Sequence, residues 1–200
     1  MPVHFIFLAV LWTLYCVLHS VLAGSRLKKN LKNNLGERYK YYRPAYILFA
    51  FASLIAIVWY QLGLGGRRLF EPGWFAYAGL AIMASGLLLM LVCIRKYFMS
   101  LSGLRSLMNE RHGSELMISG IHKYVRHPLY LGTFAFLWGL FLALPELSLL
   151  ISNTIITAYT LLGIRFEEKK LEEEFGESYR RYREQVPKLL PTGNKRLNKA

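Results

Sequence analysis

The stretch from Arg126 to Glu168 reads RHPLYLGTFAFLWGLFLALPELSLLISNTIITAYTLLGIRFEE. Between its polar ends, Leu129 to Leu144 and Leu147 to Ile164 carry no charged residue, and only Pro145 and Glu146 separate them. That pattern predicts a tight helical hairpin that crosses an apolar layer and returns. Working outward, Val3 to Ala23, Pro44 to Leu64 and Trp74 to Ile94 are also free of charge. Twenty helical residues rise about 30 Å, roughly the hydrocarbon thickness of a bilayer. The expected fold is therefore an all-α integral membrane protein, a single domain over residues 1–200. Five transmembrane helices are expected at about 3–23, 44–64, 74–94, 129–144 and 147–164.

Composition agrees. Of the 200 residues 54% are hydrophobic and only 18% charged, too apolar for an ordinary soluble domain of this size. The basic residues flank the spans. They are dense in 26–43, 95–126 and from Arg165 onward, and absent from the turn at Pro145. Lys and Arg gather on the cytoplasmic side, which predicts an outside N-terminus and a cytoplasmic C-terminus in a bacterial inner membrane. The net charge of +13 then reflects topology and attraction to the anionic lipid bilayer. A nucleic-acid partner is not indicated, because no groove-sized basic patch forms.

The first segment lacks a basic leader and runs straight into the densest basic loop, so it reads as an uncleaved span. Cys16 and Cys93 lie in different apolar spans, the histidines are scattered and Asp is absent. No disulfide framework or metal site is expected. Residues 26–43 read as a loop with interfacial tyrosines. Ala81 with Ser85, and Ala135 with Gly139, have the spacing of close helix packing in lipid. From Glu167, the residues Leu171, Phe175, Tyr179, Tyr182 and Val186 recur every three or four positions. They predict one amphipathic cytoplasmic helix, ended by Pro187, on the membrane surface or capping the bundle.

Two polar clusters are candidates for chemistry. Gly120 permits a turn, and Pro128 suits the first turn of the next helix. The free N–H groups of that turn, with His122, Arg126 and His127 around them, would attract a carboxylate or phosphate. Read without that ligand, the same residues are ordinary basic flanks and interface aromatics. Antiparallel packing of the hairpin would bring Glu167 and Glu168 to the same end. Together the clusters offer a cation for a carboxylate and a carboxylate for an ammonium, the needs of a zwitterionic ligand.

The run Gly120-x-x-x-Tyr124-Val125-Arg126-His127-Pro128-x-Tyr130-x-Gly132 is followed after the hairpin by Glu167-Glu168-x-x-Leu171-x-x-x-Phe175-Gly176-x-x-Tyr179-x-x-Tyr182-x-x-x-Val186-Pro187. This pairing resembles the isoprenylcysteine carboxyl methyltransferase family and its bacterial relatives over roughly Ser114 to Pro191. The N-terminal part, with His19-Ser20 near the end of the first span, is similar to the NnrU-like and methanethiol methyltransferase members of the same broad group. The resemblance implies an S-adenosylmethionine-dependent membrane methyltransferase with its cofactor region within about 107–191. Carried over by position, the cofactor contacts fall on Ser114, Glu115, Leu116, Met117, His122, His127, Pro128, Leu129, Tyr130 and Glu167. The family's substrate-facing Arg corresponds here to Gly163, while this chain has Arg165 two residues before Glu167. Arg165 is thus the candidate to orient an anionic acceptor. Glu168 or His122 is the candidate base if the acceptor must lose a proton.

Methyl transfer needs the nucleophile and methyl held about 3 to 3.5 Å apart, aligned and dry. The acceptor is expected to be lipophilic or membrane-accessible, an isoprenylcysteine-like carboxylate or a small thiol. Two rival readings stand beside it. One is a reductase resembling the NADPH-dependent sterol reductases, which should show more cations for a pyrophosphate. The other is a non-catalytic membrane subunit.

Overall fold

The structure, a computed structural model, describes residues 2–101 and 116–191, without the side chains of residues 25, 26 and 96–101. Its helices are α1 (Val3–Ala23), α2 (Ser25–Leu35), α3 (Tyr42–Gly63), α4 (Phe75–Leu101), α5 (Pro128–Ala143), α6 (Leu147–Phe175) and α7 (Glu177–Gln185), with 3-10 turns at Gly36–Tyr41 and Gly120–Lys123. No strand forms among the described residues, only an isolated bridge between Arg68 and Glu146. Four segments are long and apolar enough to cross a membrane: Val3–Ala23, Leu27–Gly63, Phe75–Arg95 and Leu147–Phe175. The chain has the architecture of an integral membrane protein. The fifth expected crossing, α5, has only 16 residues, a rise of about 24 Å.

Segment 26–43, expected as a loop, is mostly helical. Gly24 is extended (φ −65°, ψ 141°) and separates α1 from α2 by a single residue. Gly36 ends α2 at φ 51°, a conformation glycine adopts without steric cost.

The described residues form two compact units assembled from non-contiguous pieces: 2–71, 97–101 and 144–156 in the first, and 72–96, 116–143 and 157–191 in the second. In the first unit Leu8, Trp12 and Ile57 form a core, packed by Leu54, Tyr60 and Ile155 among others. Trp12 Nε1 donates to Gln61 Oε1 at 2.9 Å and Gln61 Nε2 to Ser152 Oγ at 3.3 Å, linking α1, α3 and α6. Leu69 N donates to Pro145 O at 2.8 Å and Leu147 N to Arg67 O at 3.0 Å, holding the two turns together.

In the second unit α4 lies against α5 through glycine. A Cβ on Gly86 would stand 2.5 Å from Phe136 N, one on Gly79 2.7 Å from Ala143 N, and one on Gly139 would strike Met83 N. The small-residue contact is therefore Gly79 and Gly86 against Gly132 and Gly139. Ala81 and Ser85, expected to serve it, are exposed, because they point away from the α5 seam. Trp138 Nε1 donates to Thr157 Oγ1 at 3.1 Å and ties α5 to α6.

The tail differs from the single helix expected. Helix α6 continues past its apolar part, which ends at Ile164, as far as Phe175, and Gly176 at φ 54° then breaks the helix. Helix α7 restarts at Glu177. Glu172 bridges the break, accepting from Arg180 Nε and Arg183 Nη1, each at 2.8 Å. Leu171, Phe175, Tyr179, Tyr182 and Val186 still form one cluster, joined by Leu116.

Candidate functional site

The polar constellation lies wholly within the second unit. Gly120 at φ 65° opens the turn before α5, and Ile121 O accepts from Tyr124 N and Val125 N. Pro128 then begins α5, where its missing N–H is no loss, and it biases His127 toward extended backbone. Arg126 and His127 do not leave their backbone donors open to a ligand. Arg126 N donates to Pro187 O at 2.9 Å and His127 N to Lys188 O at 3.1 Å.

The Arg126 guanidinium is engaged in the same way. Its Nε and Nη2 donate to Glu168 Oε1 at 3.0 and 2.7 Å, and its Nη1 to the carbonyls of Arg183 and Val186 at 2.9 and 2.6 Å. One side chain thus ties α6 to the end of α7. Its position before α5 suggested a ligand-holding cation, whereas here it has a full set of protein acceptors.

Glu168 has two further partners. His127 Nε2 lies 3.2 Å from Oε1, and Lys188 Nζ 3.0 Å from Oε2. Burial works to raise the pKa of this carboxyl, but the hydrogen bonds from Arg126, Lys188 and His127 outweigh it and hold the value down to about 2. A carboxylate so stabilised is a weak proton acceptor. Glu168 is the anion on which Arg126, His127 and Lys188 converge.

Glu167, its neighbour, is different. Its side chain is 45% exposed, and Oε2 lies 3.8 Å from His127 Nδ1. The Tyr130 side chain lies close to it. The His127 ring, 5% exposed, stacks on Tyr130 with centroids 5.7 Å apart. His127 therefore stands between the two carboxylates, Nε2 toward Glu168 and Nδ1 toward Glu167.

His122 turns inward: Nδ1 lies 3.1 Å from Arg126 O, and His122 O accepts from Tyr182 Oη at 2.7 Å. Pro128 is buried, Leu129 half-buried, and Leu116 packs on the tail cluster, while Met117 is exposed. Ser114 and Glu115 lie outside the described residues. Arg165 is exposed and is not brought to the Glu167–His127 group by any hydrogen bond or ion pair among the described residues. At Gly163 an added Cβ would meet nothing within 4 Å.

Two members of the constellation were missed in the sequence. Lys188 gave no signal beyond being basic. Tyr179 was assigned to an apolar face, and its ring does pack there, yet its hydroxyl is buried without a hydrogen-bond partner among the described residues, in a residue 1% exposed. Burial, then the negative Glu168 nearby, pushes its pKa up to about 12. It remains a neutral donor at ordinary pH. A buried polar group without a partner costs about 1–3 kcal/mol, so this hydroxyl is a donor suited to a bound group or an ordered water.

The available groups are thus one half-exposed carboxylate, one buried hydroxyl, and the stacked His127–Tyr130 pair. They suit a ligand with both a cationic and an anionic part.

Comparison with known proteins points the same way. The sequence profile of the NnrU protein family matches residues 6–193. Methanethiol S-methyltransferase 1 of Bradyrhizobium diazoefficiens is 30% identical over 193 residues, covering 91% of this chain and 65% of that protein. Methanethiol S-methyltransferase of Crocosphaera subtropica is 28% identical over 193 residues, covering 89% of this chain and 71% of its own length. The protein-S-isoprenylcysteine O-methyltransferase of Schizosaccharomyces pombe is 34% identical over 85 residues, covering 42% of this chain and 36% of its own. The chain spans just under two thirds of the first of these relatives. No solved structure matches it.

Proposed function

Because the chain belongs to the NnrU protein family, whose profile covers nearly all of it, we propose that it is a membrane methyltransferase that moves a methyl group from S-adenosylmethionine to a small, membrane-accessible thiol. The half-exposed Glu167 carboxylate, flanked by Tyr130 and His127, carries this reading. The similarity to methanethiol methyltransferases extends over about nine tenths of the chain, while that to an isoprenylcysteine methyltransferase covers under half, which favours sulfur over a carboxylate. The absence of a cation at Gly163 and the detachment of Arg165 from the site also favour an acceptor that needs no anionic anchor. In this reading all five apolar helices cross the bilayer, α5 as its shortest span, with the site and α7 on the cytoplasmic side.

The methyl donor, when bound, supplies a sulfonium whose methyl carbon is open to in-line attack. Glu167 would hold the ammonium of the donor, and the Tyr179 hydroxyl and Lys188 ammonium its carboxylate, while the rings of Tyr130 and His127 would help keep water out. The bound donor would supply its methyl to the acceptor sulfur, which would react as a thiolate and leave as a thioether. The thiol proton leaves beforehand, to water, because the thiolate and not the thiol is the nucleophile. Glu168 stays charged throughout and holds His127 in place.

The test is a thermal-unfolding comparison in detergent of S-adenosylhomocysteine against NADPH, followed by transfer of labelled methyl to methanethiol. A ligand bound only by the folded state raises its unfolding temperature. S-adenosylhomocysteine is expected to stabilise the protein, with the effect lost in Glu167→Gln. Stabilisation by NADPH instead, or by neither, overturns the proposal.

A further inference from the structure

The first unit contains a site of a different kind. Helices α1 and α3 leave between them a half-open cavity of about 200 Å³, walled by Leu11, Leu14, Leu18 and Leu22 on one side and Phe49 and Ala50 on the other. Its polar side chains are already occupied. Ser53 Oγ donates to Phe49 O at 2.7 Å, and Tyr46 Oη pairs with His19 Nδ1 at 2.9 Å. What remains is an apolar trough. From Leu11 to Leu22 it runs roughly 17 Å along α1, close to the half-thickness of a hydrocarbon core about 30 Å deep.

The two ends of the trough differ in charge. Beyond Leu11, toward Val3, α1 has no charged residue. At the other end Tyr42 Oη donates to Leu22 O at 2.6 Å, and the rings of Tyr39, Tyr42 and Tyr46 stack in a row with centroids 5.8 and 6.5 Å apart. Helix α2 starts two residues further on, bearing Lys28, Lys29 and Lys32. Arg38 and Lys40 follow in the 3-10 turn, and Arg43 stands one turn before Tyr46 on α3. Glu37 is the single acid among them. An apolar trough one leaflet long, ending among tyrosines and six cations, has the polarity of one lipid: hydrocarbon along its length, negative charge at its head.

We propose that this trough binds an anionic glycerophospholipid, with an acyl chain laid between α1 and α3 and its phosphate held at the basic end by Arg43 and the lysines of α2. A neutral hydrophobe would match the trough but not its basic end, and a soluble phosphate would make no use of the trough. A zwitterionic lipid would fit the trough but bring no net charge to its basic end.

The experiment uses the full chain in detergent, with native mass spectrometry and thermal unfolding as readouts. Added lipids are phosphatidylglycerol and phosphatidylcholine with identical chains, with glycerol phosphate as the soluble control. Phosphatidylglycerol is expected to be retained at least roughly five-fold over phosphatidylcholine, and to raise the unfolding temperature where glycerol phosphate does not. Ala50→Phe, which fills the trough, should abolish retention of the lipid, and Arg43→Gln should bring phosphatidylglycerol down toward phosphatidylcholine. Should Ala50→Phe not fold, Leu14→Trp fills the same trough from an exposed position on α1. Equal retention of the two lipids, a glycerol phosphate shift matching that of the lipid, or a preference that survives both kinds of substitution overturns the proposal.

Discussion

In the first unit three neutral side chains are tied in series, Trp12 to Gln61 to Ser152, within apolar helices. In the second unit the polar group is ionic, with Arg126, Lys188 and His127 converging on Glu168 beyond the apolar part of α6. The difference follows the solvent each must suit. Amides, indoles and hydroxyls can be satisfied in pairs at membrane depth for a modest gain. A charge placed there costs about 2.5–3.5 kcal/mol or more, so charges gather where the helices emerge. Polarity in the first unit joins helices. In the second it builds a site.

Replacing Arg126 tests the ionic group most severely. Arg126→Leu leaves Glu168 buried with only part of its partner set and removes two tail contacts, so a loss of about 3–5 kcal/mol is expected, read as a large fall in unfolding temperature. Arg126→Leu combined with Glu168→Leu should recover much of that loss, since no buried charge is left without a partner and Lys188 can turn to water. If the double variant is no more stable than the single one, Glu168 is not the anion that Arg126 neutralises.

The second test returns to packing. Gly139→Ala places a methyl against the backbone of Met83, and overpacking of this kind costs about 1–3 kcal/mol. That exceeds the helix-propensity gain of about 1 kcal/mol. An unfolding temperature equal to or above that of the parent would show that α4 and α5 are not in close contact.

Acid titration then separates the units. With Glu168 held at about 2 against an ordinary value near 4.3, its contribution to stability is present above about pH 4.3 and lost as pH falls through about 2. Glu168→Gln should be less stable at neutral pH but flatter between pH 5 and 2. A variant that loses the neutral trio, Gln61→Leu, should keep the acid slope and lose about 0.6–1.7 kcal/mol uniformly. The smallest expected effect on stability is that of Glu167→Gln, within about 0.5 kcal/mol because the side chain is half exposed. Its consequence should appear instead in binding of S-adenosylhomocysteine, weakened ten-fold or more by isothermal titration. An unchanged affinity would remove Glu167 from the ligand.

Much of this was legible in the sequence because it rests on chemistry local to each segment. The uncharged runs located the starts of α1, α3, α4, α5 and α6 within a few residues, but not the ends of α4 and α6. The paired motifs around His127 and Glu167 identified the polar end and the family. What was not legible depends on direction and on choice between equal partners. Arg126 could face a ligand or an internal carboxylate, and spacing does not distinguish them. The helix seam was missed at Ala81 and Ser85 because several small residues share α4, and only the position of α5 decides which of them touch. Gly176 lay inside a regular apolar period, so its break was invisible to a pattern that continues across it.

The contacts from Arg126 to Val186 span 60 residues of sequence, and those to Pro187 and Lys188 reach still further toward the end of the chain. During synthesis Arg126 and His127 emerge long before the carbonyls that will hold them. Chains are made N-terminus first, at about 5–20 residues per second, so for several seconds the arginine waits at the membrane edge with neither Glu168 nor the tail available. The candidate site is therefore among the last parts of this protein to assemble. A chain cut short before Val186 would have every apolar helix, yet it would lack the backbone that completes the site.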